Sequence, residues 1–274
     1  MKFCRSVFIV IKVIIMKITI SQEGTSPVSI TVPNNNEFIK LINSILKCYV
    51  NIDKGHGKFH INNTIENTKY GLTKEKIKDG LTKEQVILTA ALHDIGLLSH
   101  VCSIVLNSNL SKDELRSMHH INGARILKNL YNDATSCKKL SIDHKNLVFI
   151  VGNKLEQISH AIEHHRASVQ QTEWLDKFIR CCDGLNDHKI ILSRAWLYNK
   201  DHYPDLQDEQ VLMIAKNHLI TKYLKNGYGS SMPQKWAVEK FNKEIKLLSD
   251  ILDTLYEDKA SVKKIIIIYK RYFE

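Results

Sequence analysis

Apolar residues recur at helical spacing along most of the chain. From residue 36 onward they lie mostly three or four positions apart, which is the period of an amphipathic α-helix. The clearest such segments are Asn36–Val50, Leu155–Arg166, Thr172–Asn186, Asp208–Lys225 and Gln234–Tyr256. This pattern predicts a protein built mainly of helices.

Two further helices have recognisable starting residues. Thr82 is followed by Gln85, and Ser111 is followed by Glu114, so each pair has the spacing of a capping box. The first of these helices runs through a strongly apolar stretch, and Gly96 is predicted to end it. The second is predicted to continue through residue 127.

Near the N-terminus the spacing of the apolar residues changes from the helical period to a period of two. Met16–Ile20 and Val28–Val32 alternate as strands do, and Gln22–Pro27 between them has the composition of a turn. The apolar run within the first sixteen residues is too short to span a membrane, so no transmembrane segment is predicted. We interpret residues 1–15 as a strand extension, as a mis-assigned start with the true start at Met16, or as a weak export signal.

These patterns predict an all-α fold, a helical bundle with a small N-terminal β-hairpin addition and a C-terminal helical extension. Residues 1–35 are the strand-like addition, residues 36–200 the helical domain with the candidate chemistry, and residues 201–274 an extension packed on that domain. Residues 258–274 are basic with an apolar, β-branched centre. Their role stays open between internal packing, an oligomer contact and a membrane-surface element.

The charge and the cysteine content indicate what kind of partner the protein binds and in which compartment it occurs. The chain has 39 basic and 29 acidic residues and a net charge of +10, which favours an anionic partner such as a phosphate ester, a nucleotide or nucleic acid. The six cysteines form no CxxC pair and no disulfide-framework spacing, as expected in a reducing cytoplasm. Cys182 stands beside Asp183 and could supply a thiolate, but a buried apolar thiol is the better interpretation.

Candidate chemistry is concentrated in histidine and aspartate. Eleven of the thirteen histidines lie between residues 56 and 188. His93 and Asp94 are adjacent at the end of the apolar helix, where both side chains can face one cation. Imidazole and carboxylate together suit Mn, Fe, Co, Ni, Zn and, less well, Mg. The sequence therefore predicts a divalent-metal site on a helical scaffold.

Five short motifs carry a resemblance to a known family. In chain order they are His56-Gly-Lys-Phe-His60, Leu92-His-Asp-Ile-Gly96, His119-His-Ile-Asn-Gly-Ala-Arg-Ile-Leu127, Ala161-Ile-Glu-His-His165 and Cys182-Asp-Gly-Leu-Asn-Asp187. They resemble the HGxxH, HDxG, HxxxGA, AIxxH and ADRLD elements of the HD-domain metal-dependent phosphohydrolase superfamily. The resemblance covers residues 56 to about 200, and it implies an all-α hydrolase that uses one or two divalent metal ions per chain.

The resemblance also implies the primary metal ligands. They would be His60, His93, Asp94 and Asp183, with Asp187 one helical turn beyond Asp183 as a competing carboxylate. A first ion in this set would be held by borderline-hard nitrogen and oxygen donors.

A second ion is implied by the remaining motifs. Asp94 has two oxygens and would bridge to an ion held by His119 together with His164 or His165. The sequence does not decide between these two histidines, although the spacing Ile162-x-x-His favours His165. Two ions about 3.5–4 Å apart can activate water for in-line attack on phosphorus and stabilise the leaving oxygen.

Positive charge near the ions would hold a phosphate group. The candidates are Arg125, Arg166, Lys189 and Arg194, of which Arg166 and Arg125 are favoured because a guanidinium can hold two phosphate oxygens. Solvent-exposed helix charge is the alternative for each of them. Many family members have lysine where this chain has Leu97, and the Gly-Tyr-Pro signature of cyclic-dinucleotide phosphodiesterases is missing, which disfavours that substrate.

We therefore expect a cytoplasmic metal-dependent phosphohydrolase acting on a small phosphomonoester or nucleotide, with Asp94 and Arg166 at its catalytic centre. One alternative is an HD-type di-iron oxygenase, because the same ligands can hold two irons. The other is a non-catalytic module that binds nucleotides or nucleic acid through its basic surface. Nucleic acid is not the favoured partner, and either a monomer or an oligomer is compatible with the sequence.

Overall fold

The computed structural model describes residues 35–50, 52, 56–225 and 232–254. Within these ranges the chain forms α-helices and no strand, so the predicted all-α class is confirmed. The helices are α1 (Asn35–Cys48), α2 (Lys58–Gly71), α3 (Lys83–Leu92), α4 (Ser99–Leu106), α5 (Lys112–Asn132), α6 (Ala134–Lys139), α7 (His144–Val151), α8 (Leu155–His164), α9 (Trp174–Gly184), α10 (His188–His202), α11 (Asp208–Leu219) and α12 (Lys235–Thr254). The predicted N-terminal hairpin and residues 258–274 lie outside the described residues.

Three short turns interrupt or extend these helices. The segments Ile95–Leu97 and Gly152–Lys154 are 3₁₀ turns, and Ile220–Lys225 is a π-helical turn that continues α11. Such irregular turns are frequent where a helix ends or changes direction. The turn after α3 is the one that matters most for the candidate site.

Both predicted capping boxes are confirmed. The Thr82 hydroxyl accepts a hydrogen bond from the Gln85 N–H at 3.2 Å, and the Gln85 side chain accepts one from the Thr82 N–H at 2.8 Å. At the start of α5, the Ser111 hydroxyl accepts from the Glu114 N–H, and the Glu114 carboxylate accepts from the Ser111 N–H. These reciprocal bonds satisfy N–H groups that the first turn of a helix leaves unpaired.

The prediction that Gly96 ends α3 is wrong. The helix ends at Leu92, His93 occupies its C-terminal cap, and Asp94 has φ −104° and ψ 9°, outside the helical region. Gly96 lies within the 3₁₀ turn that follows, and its lack of a side chain has a packing role described below. The chain thus leaves the helix at the His93–Asp94 pair itself.

The first nine helices enclose one apolar core, and α3 crosses its middle. All of α3 from Gln85 to Leu92 is buried, and the helix packs against α1, α2, α7, α8 and α9. A helix buried on every side needs no polar face, which explains why its sequence is apolar throughout rather than amphipathic. The end of α3 is therefore held firmly inside the bundle.

A second apolar core lies between α10, α11 and α12. It includes Leu192, Leu212 and Leu248, all of them buried. The domain division predicted at residue 200 remains a prediction, but in the structure α10 packs against the two C-terminal helices. A small third cluster, which includes Cys181 and Phe241, joins the end of α9 to α12.

Within the described residues, no single helix is both long and apolar enough to cross a membrane. The pair Lys83–Leu97 and Ser99–Leu106 meets the length and hydropathy criteria only jointly and is bent by 94°.

Candidate metal centre

Six side chains from five parts of the bundle converge at the end of α3. They form two adjoining groups of three, and the ligand atoms within each group lie within 4.8 Å of one another. The first group is His60, His93 and Asp183, and the second is Asp94, His119 and His165. All six are among the ligands predicted from the sequence.

The first group combines the two imidazoles of α2 and α3 with a carboxylate from α9. His60 Nε2 lies 3.3 Å from His93 Nε2 and 3.1 Å from Asp183 Oδ1. His93 Nε2 lies 3.5 Å from the same Asp183 oxygen. These three atoms therefore form the corners of a small triangle that one cation can contact simultaneously.

Asp94 connects the two groups through its two different oxygens. Its Oδ2 lies 3.5 Å from His60 Nε2 and 3.4 Å from His93 Nε2. Its Oδ1 lies 3.4 Å from His119 Nε2 and 3.6 Å from His165 Nε2. One oxygen faces each group, which is the arrangement of a carboxylate that bridges two cations.

These separations fit the edges of metal coordination polyhedra. Ligand atoms around one ion at about 2.0–2.2 Å lie roughly 3.0 Å apart in an octahedral arrangement and about 3.4 Å apart in a tetrahedral one. The distances within the first group, and those from Asp94 to the four imidazoles, are 3.1 to 3.6 Å and so are of the same size. Divalent ions therefore fit among these side chains without rearrangement of the helices.

Backbone carbonyl groups orient three of the imidazoles. The Nδ1–H groups of His93, His119 and His165 each donate to the carbonyl oxygen three residues earlier, at 2.8, 2.9 and 2.6 Å. A carbonyl only accepts, so Nδ1 carries a proton and Nε2 is the ring atom that faces the centre, where it can bind a cation once it is unprotonated. Such outer hydrogen bonds commonly fix the tautomer of metal-binding histidines.

The charges around the centre also favour a cation. Burial opposes a positive charge on His93, but Asp94 and Asp183 outweigh it and raise the pKa of His93 well above its usual value. Burial likewise opposes ionisation of Asp94, yet His93 and hydrogen bonds from His165 and His60 hold its pKa well below the usual value. Converging lone pairs and two carboxylates attract positive charge, which a divalent ion supplies.

Close backbone packing brings Asp94 within reach of α5 and α8. A Cβ on Gly96 would lie 2.0 Å from the His119 carbonyl oxygen and 2.6 Å from the Gly123 nitrogen, so the turn after α3 rests directly on α5. A Cβ on Gly123 would lie 2.9 Å from a methyl group of Ile162 in α8. The two glycines thus set the spacing between Asp94, His119 and His165.

Amide side chains of α2 position the end of α9. Asn67 Nδ2 donates to the Cys182 carbonyl at 3.1 Å, and Asn63 Nδ2 donates to the Leu185 carbonyl at 2.9 Å. Cys182 lies in the last turn of α9 and Leu185 directly follows the helix, so both carbonyls are at the end where helical partners are missing. His60 belongs to α2, as Asn63 and Asn67 do, so these hydrogen bonds hold Asp183 beside His60.

Solvent reaches the centre from one side. His93 is fully buried and His60, Asp94 and His165 are almost so, whereas the side chains of Asp183 and His119 are 26% and 13% exposed. The centre is therefore open to solvent over Asp183 and His119.

Two predicted ligands lie outside both groups. His164, an alternative to His165, stacks on His160 with ring centroids 3.9 Å apart and does not face Asp94. Asp187, the competitor of Asp183, instead caps α10 by accepting from the Lys189 N–H at 2.7 Å. The structure thus brings His165 and Asp183 to the centre, and it leaves His164 and Asp187 elsewhere.

Burial keeps the thiol of Cys182 protonated. Burial raises its pKa far above the ordinary value, and the thiol lies within hydrogen-bonding reach of Thr68. We expect Cys182→Ala to bind as much metal as the unmodified protein, as measured by elemental mass spectrometry. Cys137→Ala, which removes another buried thiol, is the matched control for lost packing. Selective metal loss in Cys182→Ala would instead identify the sulfur as a ligand.

The four predicted phosphate-binding cations have different positions. Arg166 is half-buried beside the second group, where its charge helps to lower the pKa of His119 after the larger effect of burial, and it donates to the Ser117 carbonyl. Arg125 is exposed and lies beside Cys102 in α4. Arg194 lines a cavity next to the centre, whose described lining does not include Lys189. Arg166 and Arg194 therefore lie near the candidate centre, whereas Arg125 lies beside Cys102 and its role as a phosphate clamp stays a prediction.

Sequence reasoning missed Arg116 and Lys222, which line the same cavity as Arg194. Arg116 precedes His119 by three residues, so helical periodicity could have placed both on one face of α5. Lys222 belongs to the π-helical turn after α11, and no local signal connects that segment with the histidine motifs.

Two other acid–histidine groups already have structural partners. In one, Asp176 accepts from His160 and from the N–H groups of Thr172 and Glu173 at the start of α9. In the other, Glu244 accepts from both the ring and the backbone N–H of His188. These hydrogen bonds account for the two clusters without an ion.

Comparison of the chain with protein-family models, with curated proteins and with solved structures found no match. The assignment of a function therefore rests on the geometry of the six side chains and on the cations around them.

Proposed function

We propose that the protein is a metal-dependent phosphohydrolase of the HD-domain type, acting on a small phosphomonoester or nucleotide. This proposal depends mainly on Asp94, because one of its oxygens faces His60 and His93 and the other faces His119 and His165, all at 3.4–3.6 Å. A mononuclear site or a structural ion would need no such shared carboxylate.

The four histidines and two aspartates would hold one or two divalent ions. Bound ions supply Lewis-acid stabilisation of the phosphate oxygens and lower the pKa of water. The ligand set combines nitrogen and oxygen donors and suits Mn, Fe, Co, Ni or Zn better than Mg.

Arg166 is the residue best placed to hold the phosphate group. It is close enough to His119 to influence the pKa of that imidazole, and the Ser117 carbonyl fixes its guanidinium at 2.9 Å. A fixed guanidinium can bind two phosphate oxygens in the plane of its fork. Arg166 therefore orients the phosphate over His119, on the side that solvent reaches.

Hydrolysis of the phosphoester requires water as its only co-reactant. The water oxygen bonds to phosphorus, the ester P–O bond breaks, and the departing oxygen takes up a proton that originates from water. Burial of His93, His165 and Asp94 keeps bulk solvent from the inner side of the centre, so attack comes from the open side.

Single-ligand variants test the two-site geometry. We expect the unmodified protein, loaded with Mn, Co, Ni, Mg or Fe in turn, to bind about two ions and to release phosphate from simple phosphomonoesters. His60→Ala and His119→Ala should each retain about one ion, because each removes a ligand from a different group. Elemental mass spectrometry and a phosphate-release assay give the two readouts.

A histidine outside both groups provides the control. His100→Ala in α4 should retain both ions and full activity, since His100 belongs to neither group. Loss of both ions in all three variants would contradict the two-site arrangement. Two bound irons with substrate-dependent oxygen uptake and no phosphate release would point to an oxygenase instead. Tight nucleotide binding without turnover would indicate a binding module.

A further inference from the structure

A cavity of about 570 Å³ lies beside the metal centre, between α5, α10 and α11. Its volume falls within the usual range for small-molecule sites, roughly 300–1,000 Å³. Apolar side chains such as Ile191 and Leu219 form part of its wall, while Arg116, Arg194 and Lys222 contribute positive charge. The described lining thus combines space for a carbon skeleton with a concentrated set of cations.

Three lining residues adjoin three of the candidate metal ligands. His56 precedes His60 by four residues, and their ring centroids are 6.1 Å apart. In the same way, one helical turn separates Arg116 from His119 on α5, and Asn186 follows Asp183 by three residues. The cavity therefore lies beside the part of the centre formed by His60, His119 and Asp183, and it extends from there towards α11.

Positive charge predominates in the described lining. Arg116, Arg194 and Lys222 provide three cations, whereas Asp201 provides the single carboxylate. Arg194 Nη2 also lies 3.3 Å from His56 Nε2, which directs the guanidinium towards the metal side of the cavity. Like charges gathered around one space repel each other, and an anion placed among them relieves that repulsion.

Lys222 shows that repulsion directly. Burial lowers its pKa first, and the neighbouring Arg194 lowers it further. Arg194 belongs to α10 and Lys222 to the turn after α11, so packing of these two segments brings two positive charges to the same cavity. Functional anion sites are commonly built in this way, with charge concentrated where a ligand will neutralise it.

We infer that this cavity binds a second anionic group of the substrate, so that the preferred substrates are phosphoesters whose leaving group carries its own negative charge. The scissile phosphate would lie at the six-ligand centre, and Arg194 with Lys222 would hold the distal anion. This inference rests on the proposed hydrolase for its catalytic meaning, but binding of the anion does not depend on turnover.

Binding of inorganic pyrophosphate to the metal-free protein tests the cavity by itself. The protein is stripped of metal, dialysed free of chelator and titrated calorimetrically at low salt, where charge is little screened. We expect a dissociation constant below about 1 mM and a loss of roughly ten- to a hundredfold in Arg194→Gln, because a hydrogen bond to a charged group is removed. Lys222→Gln should weaken binding in the same direction.

Two further variants separate the cavity from general surface charge. Arg194→Lys keeps the positive charge and should recover part of the affinity, since lysine lacks the guanidinium fork. Lys235→Gln removes an exposed lysine whose side chain is 92% accessible, and it should bind pyrophosphate as the unmodified protein does. Circular dichroism and melting temperature verify that every variant is folded.

Any of three results of the titration would overturn the inference. The unmodified protein does not bind pyrophosphate measurably, Arg194→Gln binds it as tightly as the unmodified protein, or Lys235→Gln loses as much affinity as Arg194→Gln. If the metal-loaded protein hydrolyses phosphoesters, Arg194→Gln should lower kcat/KM for a sugar bisphosphate about tenfold more than for p-nitrophenyl phosphate. An equal loss on both substrates also contradicts it. Pyrophosphate binding without any hydrolysis would retain the anion site and reject the hydrolase.

Discussion

Asp94→Ala is expected to release both metal ions and to lower phosphate hydrolysis by roughly a thousandfold or more, since bound metal contributes several kcal/mol to such reactions. No other described side chain places one oxygen towards each ligand group. Its removal therefore affects two coordination spheres together, whereas loss of one histidine affects a single sphere. Metal content per chain and kcat/KM measure the two effects separately.

Two substitutions that each remove one negative charge test whether the Asp94 carboxylate acts as a bridge. Asp94→Asn preserves the side-chain volume but has only one oxygen to offer, so we expect it to bridge poorly and to retain less metal. Asp187→Asn makes the same change at a residue that caps α10, and asparagine caps helices as well as aspartate does. Asp187→Asn should therefore keep its metal and its activity. A fully active Asp94→Asn would mean that the centre does not use a bridging carboxylate.

Gly96→Ala is expected to have the largest effect on stability. The new Cβ would lie 2.0 Å from the His119 carbonyl oxygen and 2.6 Å from the Gly123 nitrogen, and neither backbone atom can rotate away. The turn after α3 and helix α5 must then separate, at a cost of about 3 kcal/mol, which is the upper end for overpacking. For a chain of this size, thermal unfolding should fall by roughly 6–12 °C.

The neighbouring glycine provides a graded comparison. In Gly123→Ala the obstacle is a side-chain methyl of Ile162 at 2.9 Å, which can shift by a few tenths of an ångström. We expect a smaller decrease in melting temperature for Gly123→Ala than for Gly96→Ala. Gly96→Ala should also bind the second ion more weakly, because the displaced α5 carries His119. Equal melting temperatures for Gly96→Ala and the unmodified protein would refute the close approach.

Features that depend on a few neighbouring residues could be predicted from the sequence. The capping boxes at Thr82 and Ser111 form because each involves four consecutive residues and hydrogen bonds within one turn. The all-α class follows from apolar spacing, which reflects the period of the helix itself. The convergence of the histidines and aspartates is what the family resemblance of the five motifs implies, and the structure brings six of these residues together.

Features that depend on how helices meet could not be predicted. The structure brings His165 rather than His164 to Asp94. The spacing after Ile162 favoured His165 without deciding between the two, because periodic patterns are least regular at the end of a helix such as α8. The role of Gly96 becomes visible only with α5 packed against it. Arg125 was favoured as a phosphate ligand by its proximity to the His119 motif, yet its direction on α5 places it beside Cys102.

The cavity is also a feature that could not be predicted from the sequence. Arg116, Arg194 and Lys222 come from three segments separated by long stretches of chain, and only tertiary packing joins them. Their sequence neighbourhoods contain ordinary helical charge. Net charge indicated an anionic partner, but it gave no position for the site.

The ligands between His60 and Asp183 have a consequence for the lifetime of the folded chain. Ions held by α2, α5, α8 and α9 would crosslink more than a hundred residues of sequence, which restricts the unfolded ensemble much as a long covalent loop does. Helices α10–α12 share a separate core and lie outside that crosslink. Metal loading would thus slow global unfolding and protease cleavage of the first nine helices. The effect would extend to α12, because its Trp236 packs on the first core and its Lys240 donates a hydrogen bond to Asn67 of α2, and it would be smallest for α10 and α11.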